Sequence, residues 1–234
     1  MRSASGRKFI LAEALIINKT YILFDLDGTI SDPKDGITKS VQYSLKAFGM
    51  SIENTDALTP FIGPPLRESY KRYYGFSNEE AEKAVAKYRE YFSEKGIFEN
   101  TIYEGMDILL KTLRDTGKVL MVATSKPTIY AEKILKHFDI DQYFDFVSGS
   151  ELDGRRSKKS ELIKYALDNM NITQIGKAIM IGDREHDIIG AKEVCMDSIG
   201  VLYGYGDLRE LTSAGATFIS ESVSNLLELL AYPQ

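Results

Sequence analysis

YILFDLDGTI, residues 21–30, begins as an apolar run and ends in two carboxylates and a glycine. The apolar half has the composition of a buried β-strand. Because side chains two positions apart on a strand share a face, Asp25 and Asp27 are expected to leave the strand side by side, and Gly28 lets the backbone turn sharply. Such close carboxylates repel each other, and Mg²⁺, which prefers oxygen ligands, is the natural relief. The alternative is a strand that runs into an ordinary Asx-type turn.

The composition is that of a globular protein, with 234 residues, 44% of them hydrophobic and 27% charged. The net charge of −5 argues against a general nucleic-acid binder but leaves a small anionic substrate open, because the charge of a cleft decides that. The one cysteine, Cys195, excludes an intramolecular disulfide and fits a reducing cytosol. No apolar run approaches the ~18 residues of a membrane helix. We therefore predict a cytoplasmic protein, a monomer by default, with neither nucleic acid nor membrane as partner.

Residues 1–20 are predicted to be a tail or leader outside the fold. Arg2, Arg7 and Lys8 precede the apolar residues 9–17, an order that imitates a signal peptide. Glu13 interrupts the apolar stretch, and no small-x-small cleavage site follows it.

Beyond residue 32 the pattern divides in two. Residues 33–103 carry apolar side chains at helical spacing, and Ser77 followed by Glu80 favours a capped helix start. From residue 104 onward, strands and helices alternate, which predicts a parallel sheet with helices on both faces. Ligands of such sheets bind at the carboxyl ends of the strands. The fold class expected is therefore α/β, a doubly wound parallel sheet (residues 21–32 and 104–234) with an inserted all-helical cap (residues 33–103). Its later strands are predicted at 118–123, 144–147, 178–181, 198–202 and 217–219.

Two further segments place polar side chains after predicted strands. Thr124-Ser125-Lys126 follows strand 118–123, where a hydroxyl and backbone N–H groups can hold a phosphate oxygen, although an N-cap for the next helix is the alternative. In IMIGDREHDI, residues 179–188, Asp183 ends a buried strand and would complete a cation site. Asp187 would orient that site from a helix start, where the dipole favours an anion; the alternative is a pair of capping aspartates.

The residues DLDGT, 25–29, resemble the D-x-D-G-T signature of the haloacid dehalogenase superfamily of phosphohydrolases. Thr124, the basic cluster RRSKK at 155–159 and the segment 182–187 follow in the family's order over residues 21–204. By composition alone the basic cluster would be a solvated loop. The insert is similar to the family's helical C1 cap, and the whole resembles the phosphoglycolate phosphatase-like branch, which includes nucleotidases and sugar-phosphate phosphatases.

The resemblance implies a role for each carboxylate. Asp25 would attack phosphorus and form an aspartyl-phosphate, while Asp27 would protonate the leaving oxygen and then take a proton from water. Mg²⁺ would be held by Asp25, Asp183 and the backbone carbonyl of Asp27. Asp187 would support these ligands.

The resemblance also implies groups that hold the transferring phosphoryl oxygens. The catalytic lysine would be Lys159, with Lys158 as the alternative, because relatives often carry Lys-Pro here and this chain does not. Thr124 and the N–H groups of Leu26 and Ser125 would act with it. The further substrate-binding residues expected are Gly28, Thr29, Ser125, Lys126 and Arg67.

Arg67 directly follows the loop 62–66, which contains a glycine and two prolines. In the family a loop at this place faces the active site, so Arg67 could pair with a second anionic group of the substrate. The alternative is a surface residue at a helix start.

Three rival functions share this fold. A haloacid dehalogenase should not need Asp27, a sugar phosphomutase often has Val where this chain has Thr29, and a non-enzymatic phosphate-binding protein would have lost a charged group. The function expected is a Mg²⁺-dependent hydrolase of a small phosphomonoester such as phosphoglycolate, a nucleotide or a sugar phosphate, with the phosphomutase and the binding protein as alternatives.

Overall fold

A six-stranded parallel sheet forms the centre of the computed structural model, which describes Ile16 and residues 18–231. Its strands are β1 (Tyr21–Phe24), β4 (Val119–Pro127), β5 (Phe146–Ser150), β6 (Ala178–Gly182), β7 (Asp197–Val201) and β8 (Phe218–Ser220). They lie in the order β5-β4-β1-β6-β7-β8, so that β1 has β4 and β6 as its neighbours. A separate antiparallel pair joins β2 (Ser31–Asp32) to β3 (Thr101–Ile102). The predicted parallel sheet is confirmed.

Helices lie between these strands as expected. Outside the sheet region they are α1 (Lys34–Ala47), α2 (Leu66–Tyr74) and α3 (Asn78–Tyr91), with a 3₁₀ helix at Thr55–Phe61 and a π-helix at Phe92–Gly96. Along the sheet they are α4 (Met106–Asp115), α5 (Thr128–His137), α6 (Lys159–Asn169), α7 (Glu185–Glu193), α8 (Leu208–Ala214) and α9 (Val223–Ala231). We call residues 34–96 the helical insert.

Side chains of β1 alternate between two apolar clusters, as the strand period of two requires. Ile22 and Phe24 belong to the larger cluster, which continues into the helical insert, whereas Leu23 belongs to the cluster under α6. All three are fully buried. Burial on both faces is why β1 has an uninterrupted apolar sequence.

The helical insert contains a predicted helix start but is shorter than the predicted all-helical segment. Ser77 accepts from the Glu80 N–H and Glu80 accepts from the Ser77 N–H, so the predicted capped helix start is confirmed. Residues 33–103 are not all helical, however, because Thr101–Ile102 pairs with Ser31–Asp32. Strands of two residues are too short for periodicity to reveal.

Residues near the chain start also depart from expectation. Most of the predicted leader lies outside the described residues, but Ile16 packs into the larger apolar cluster. Lys19 is buried, forms an ion pair with Asp197 and donates to the carbonyl of Gly176 at 2.7 Å. The folded part therefore includes residues that we expected to lie outside it. Within the described residues, no helix combines the length and apolarity needed to cross a membrane.

The π-helix packs directly on α1 through two glycines. A Cβ atom at Gly36 would lie 1.9 Å from the carbonyl oxygen of Gly96, and one at Gly96 would lie 2.6 Å from the Ser40 hydroxyl. Backbone of one element therefore touches backbone of the other, which fixes where Phe92–Gly96 lies relative to α1.

Gly36→Ala is expected to lower the free energy of unfolding by about 1–3 kcal/mol, because the added methyl group overpacks a backbone contact. The ~1 kcal/mol that alanine gains in helix propensity does not offset a clash with a carbonyl group. Denaturant titration of both proteins measures the difference. Gly176→Ala is the control, since nothing lies within 4 Å of its Cβ position. Equal loss in the two variants would show that the Gly36 contact is not as close as described.

Candidate active site

Asp25 directly follows β1, where the carboxyl ends of the central strands meet. Its backbone N–H donates to Ile181 at 2.8 Å, which extends the pairing of β1 with β6. Residue Asp25 is 3% exposed, and its Oδ1 accepts the Leu26 N–H at 2.7 Å. We expected the Leu26 N–H to donate to the phosphoryl oxygens, but in this structure it donates to Asp25.

Three buried carboxylates converge at this point: Asp25, Asp183 and Asp187. One oxygen of each lies within 4.8 Å of the others. Burial raises the pKa of Asp183 well above its ordinary value, and the charges of Asp187 and Asp25 raise it further. Oxygen donors held this closely fit a hard divalent cation, whose charge would offset their repulsion. The cluster could therefore hold a divalent metal ion.

Glycines make room for Asp183. A Cβ atom at Gly28, which has φ +86°, would lie 2.2 Å from Asp183 Oδ2, and one at Gly204 would lie 2.3 Å from Asp183 Cβ. Only glycine fits such a backbone with a carboxylate so near. Gly28 therefore lies against Asp183, and its expected role at the substrate stays a prediction.

Thr29 also contacts Asp183. Its side chain is fully buried, and its hydroxyl donates to Asp183 Oδ1 at 3.2 Å. The Tyr205 N–H donates to Asp183 Oδ2 at 2.9 Å, and the Tyr203 hydroxyl donates to the carbonyl of Thr29 at 3.1 Å. Both oxygens of Asp183 are therefore oriented by protein donors, and the substrate-binding role expected of Thr29 stays a prediction.

Lys159, and not Lys158, reaches the carboxylates. Its Nζ lies 2.9 Å from Asp25 Oδ1 and 2.7 Å from Asp187 Oδ1, and it donates to the Ala123 carbonyl at 3.0 Å. Lys158 is exposed at the start of α6. Burial opposes the charge of Lys159, but Asp187 and Asp25 outweigh it and raise the lysine's pKa above its usual value. One ammonium group therefore joins two of the three carboxylates.

Asp187 lies in the first turn of α7, as the sequence predicted. Its Oδ2 accepts the Arg184 N–H at 3.1 Å while its other oxygen faces Lys159. The helix starts at Glu185, so Asp187 is inside the helix. A Cβ atom at Gly182 would lie 2.2 Å from this carboxyl group.

Asp27 is separate from the carboxylate cluster. Its Oδ2 lies 2.9 Å from the Nζ of Lys126, which also lies 4.5 Å from the ring centre of Phe92. Burial raises the pKa of Asp27 and Lys126 partly opposes the rise. Among the described residues Asp27 Oδ1 has no hydrogen-bond partner. A metal role for Asp27 could therefore involve only its backbone carbonyl, which stays a prediction.

The Thr124-Ser125-Lys126 segment lies within β4, which is longer than predicted. Its pairing with β5 shifts register between Thr124 and Pro127, and such irregularities re-aim side chains. The Thr124 hydroxyl accepts the Lys126 N–H at 3.3 Å. The alternative that Thr124 caps the next helix is wrong, because α5 begins at Thr128 after Pro127.

A cavity of about 150 Å³ lies between the sheet and the helical insert. Asp27, Ser125 and Lys126 line it from the sheet, while Arg67 and Tyr88 line it from the insert. Arg67 forms an ion pair with Glu82, and its buried Nε has no partner among the described residues. A second cavity of about 460 Å³ is lined by Lys159 and shares Ser125 with the first.

Sequence reasoning missed the loop after β7 and the side chain of Arg184. The pattern Gly204-Tyr205-Gly206 after a predicted strand was an available signal for close backbone approach. Arg184 donates to Glu210 at 2.8 Å and to the carbonyl of Ile62 in the insert at 2.9 Å. No sequence pattern indicates a contact over 122 residues.

Known proteins match both the sequence and the fold. The sequence model of the haloacid dehalogenase-like hydrolases matches residues 22–201. A 5'-nucleotidase of Pseudomonas aeruginosa is 43% identical over 209 residues, which cover 89% of this chain and 94% of that protein. The tyrosine-protein kinase PtkA of Mycobacterium tuberculosis is 36% identical over 211 residues, which cover 89% of this chain and 72% of PtkA. The crystal structure of a predicted phosphatase from Clostridium acetobutylicum has a TM-score of 0.88 at 50% identity and covers 90% of this chain and 97% of that one.

The chain therefore belongs to the haloacid dehalogenase-like hydrolase family, as its motifs predicted. It is a hydrolase by family, with an α/β core of the kind the resemblance implied. Phosphoglycolate phosphatases occur among the more distant relatives, in agreement with the predicted branch.

Asp183→Asn is expected to stabilise the protein in metal-free buffer at neutral pH, because it removes one of three converging charges. A substitution that stabilises a protein in this way typically raises its free energy of unfolding by about 0.5–2 kcal/mol. The asparagine can still accept the Tyr205 N–H and donate to the Thr29 hydroxyl. Unfolding in urea with EDTA, measured across pH, tests this.

The pH dependence follows from the raised pKa of Asp183. The folded wild type binds a proton more readily than the unfolded chain does, so wild-type stability rises as pH falls through that pKa. The stability advantage of the variant should therefore grow as pH rises through that pKa and vanish in acid. Asp153→Asn, at an exposed carboxylate, is the control. A destabilised Asp183→Asn at pH 7 would contradict carboxylate repulsion at this site.

Proposed function

We propose that the protein is a Mg²⁺-dependent phosphomonoester hydrolase that acts on a small phosphorylated metabolite through an aspartyl-phosphate on Asp25. The observation that carries this proposal is the meeting of Asp25, Lys159 and Asp183 at one buried point. The phosphatase and nucleotidase names of relatives support the reaction class. The names do not select the substrate, so phosphoglycolate, nucleotides and sugar phosphates are all within the proposal.

Asp25 would be the nucleophile that attacks phosphorus. Both the Leu26 N–H and the Lys159 ammonium meet its Oδ1, which leaves Oδ2 for the attack. Lys159 lines one cavity and Lys126 the other, and Ser125 lines both. We place the phosphoryl group near Ser125, where positive charge from both lysines and the hydroxyl of Thr124 would stabilise its oxygens.

Asp27 would be the general acid and base. Its Oδ1 has no partner among the described residues, and burial raises its pKa, which favours the protonated form that a general acid needs. The same carboxyl group would then take a proton from the water that hydrolyses the aspartyl-phosphate. Asp25 and Asp27 would thus have different roles because they pair with different lysines, Lys159 and Lys126.

Mg²⁺ would be held by Asp25, Asp183 and the backbone carbonyl of Asp27. When bound, the ion supplies positive charge that offsets the carboxylates and the phosphate. Thr29 and the Tyr205 N–H hold Asp183 in orientation, and Asp187 holds Lys159. These contacts position the site's own side chains.

The cavity of about 150 Å³ would receive the leaving group. An engineered protein cavity of about that volume binds one benzene molecule, so a leaving group of similar size fits this arrangement. Larger leaving groups would require the helical insert to move away from the sheet, as cap segments do when substrates enter.

The experiment that tests the function is phosphate release from a panel of small phosphomonoesters and one aryl phosphate, with Mg²⁺ and with EDTA. We expect Mg²⁺-dependent release from the aryl phosphate and from a subset of the panel. No release from any substrate with Mg²⁺ would contradict the proposal and favour a binding protein. Conversion of sugar phosphates into isomers without phosphate release, detected by NMR, would instead favour the phosphomutase.

Asp25→Asn is expected to lower kcat at least ~10³-fold, because it removes the nucleophile from a group of residues that act as a unit. Phosphate release at saturating Mg²⁺ measures it. Circular dichroism confirms that the variant is folded, and Asp153→Asn serves as the surface control. Retention of a tenth of wild-type turnover would exclude Asp25 as the nucleophile.

Arg67→Ala is expected to raise KM about 10-fold for a preferred substrate that carries a second anionic group, which corresponds to about 1.4 kcal/mol of lost binding. Hydrolysis of an aryl phosphate, which has no such group, should change little. Steady-state kinetics on both substrates measure the difference, with Arg209→Ala on exposed α8 as the control. Equal effects on both substrates, or none on either, would remove Arg67 from substrate recognition.

A further inference from the structure

The Lys126 ammonium lies between a carboxylate of the sheet and an aromatic ring of the helical insert. Its Nζ is 2.9 Å from Asp27 Oδ2 and 4.5 Å from the ring centre of Phe92. All three side chains are buried. A buried ammonium needs partners on more than one side, and the electron-rich face of a ring is one that excludes water.

The ring of Phe92 is held by the insert and by α5. It stacks on Tyr88, with ring centres 5.2 Å apart, and meets Tyr130 edge-on at 5.4 Å. Phe92 also begins the π-helix, whose far end is fixed on α1 by the contact of Gly36 with Gly96. A shift of this ring away from Lys126 would disturb the packing of α3, the π-helix and α5.

We propose that Phe92 is a positioning residue for proton transfer: its ring holds the Lys126 ammonium against Asp27 Oδ2, which leaves Asp27 Oδ1 directed at the leaving oxygen. This inference rests on the proposed phosphatase function. It also links the insert to the chemistry, because the ring that holds Lys126 against Asp27 belongs to the insert.

The step concerned is the first one. The bond from the Asp25 oxygen to phosphorus forms, the bond from phosphorus to the leaving oxygen breaks, and the proton of Asp27 passes to that oxygen. An aryl leaving group such as p-nitrophenolate is stable without the proton, whereas an alkoxide is not. A misplaced Asp27 should therefore slow alkyl phosphates far more than p-nitrophenyl phosphate.

The test compares kcat/KM of wild type and Phe92→Leu on p-nitrophenyl phosphate and on an alkyl phosphate that the wild type hydrolyses. The ratio kcat/KM reports steps up to phosphoryl transfer and excludes the later hydrolysis that both substrates share. We expect a loss of about 10-fold or more on the alkyl phosphate and about 3-fold or less on the aryl phosphate.

Phe92→Tyr keeps a ring and should restore the wild-type ratio of the two substrates. Lys126→Met leaves the ring in place but also removes a positive charge from the phosphoryl group, so it should lower kcat/KM on both substrates, and on the alkyl phosphate by about 10-fold more than on the aryl phosphate. Adding Phe92→Leu to it should change little if the ring acts through the ammonium. Phe98→Leu, at a half-exposed ring of the same region, is the matched control and should leave both rates unchanged.

Equal losses on both substrates in Phe92→Leu, or a Tyr variant as selective as the Leu variant, would overturn the inference. If Phe92→Leu fails to fold, Lys126→Met decides, and an unselective loss there overturns it as well. A wild type inactive on both substrates would refute the phosphatase function itself. An active wild type with an unchanged ratio in Phe92→Leu would refute only the role of Phe92.

Discussion

The convergence of three buried carboxylates is the constraint around which this protein is built. Asp25, Asp183 and Asp187 would not stay together without compensation, and the chain supplies it from several elements. Lys159 joins two of them, and the Tyr205 N–H and Thr29 hydroxyl hold the third. Glycines at the surrounding positions let these groups approach so closely. The folded structure keeps a locally unfavourable arrangement because the apolar clusters on both faces of the sheet support it.

The topology of the sheet explains why these groups can meet at all. Because β1 lies between β4 and β6, the carboxyl ends of three neighbouring parallel strands meet at one edge of the sheet. β1 supplies Asp25, β6 supplies Asp183, and β4 supplies Lys126. The helical insert leaves immediately after β1, through the antiparallel pair β2 and β3, and therefore lies where it can cover that edge.

Two lysines separate the environments of two neighbouring aspartates. Lys159 pairs with Asp25 among other carboxylates, whereas Lys126 pairs with Asp27 beside an aromatic ring. Different surroundings for two similar groups are the general means by which one site obtains both a nucleophile and an acid. The aromatic partner of Lys126 belongs to the insert, so the position of the insert and the surroundings of Asp27 are physically connected.

Local sequence determined the order of strands and helices and the family. It also determined that Asp25 and Asp183 follow strands and that Asp187 lies at a helix start, because strand ends and short motifs depend on neighbouring residues. The choice of Lys159 over Lys158, the contact of Thr29 with Asp183, and the approach of Phe92 to Lys126 were decided only by tertiary structure. Each of these depends on elements that are far apart in the chain, and on one-residue differences in where a helix or strand begins. Such a difference turns a side chain toward a carboxylate or into solvent, and no periodicity in the sequence records it.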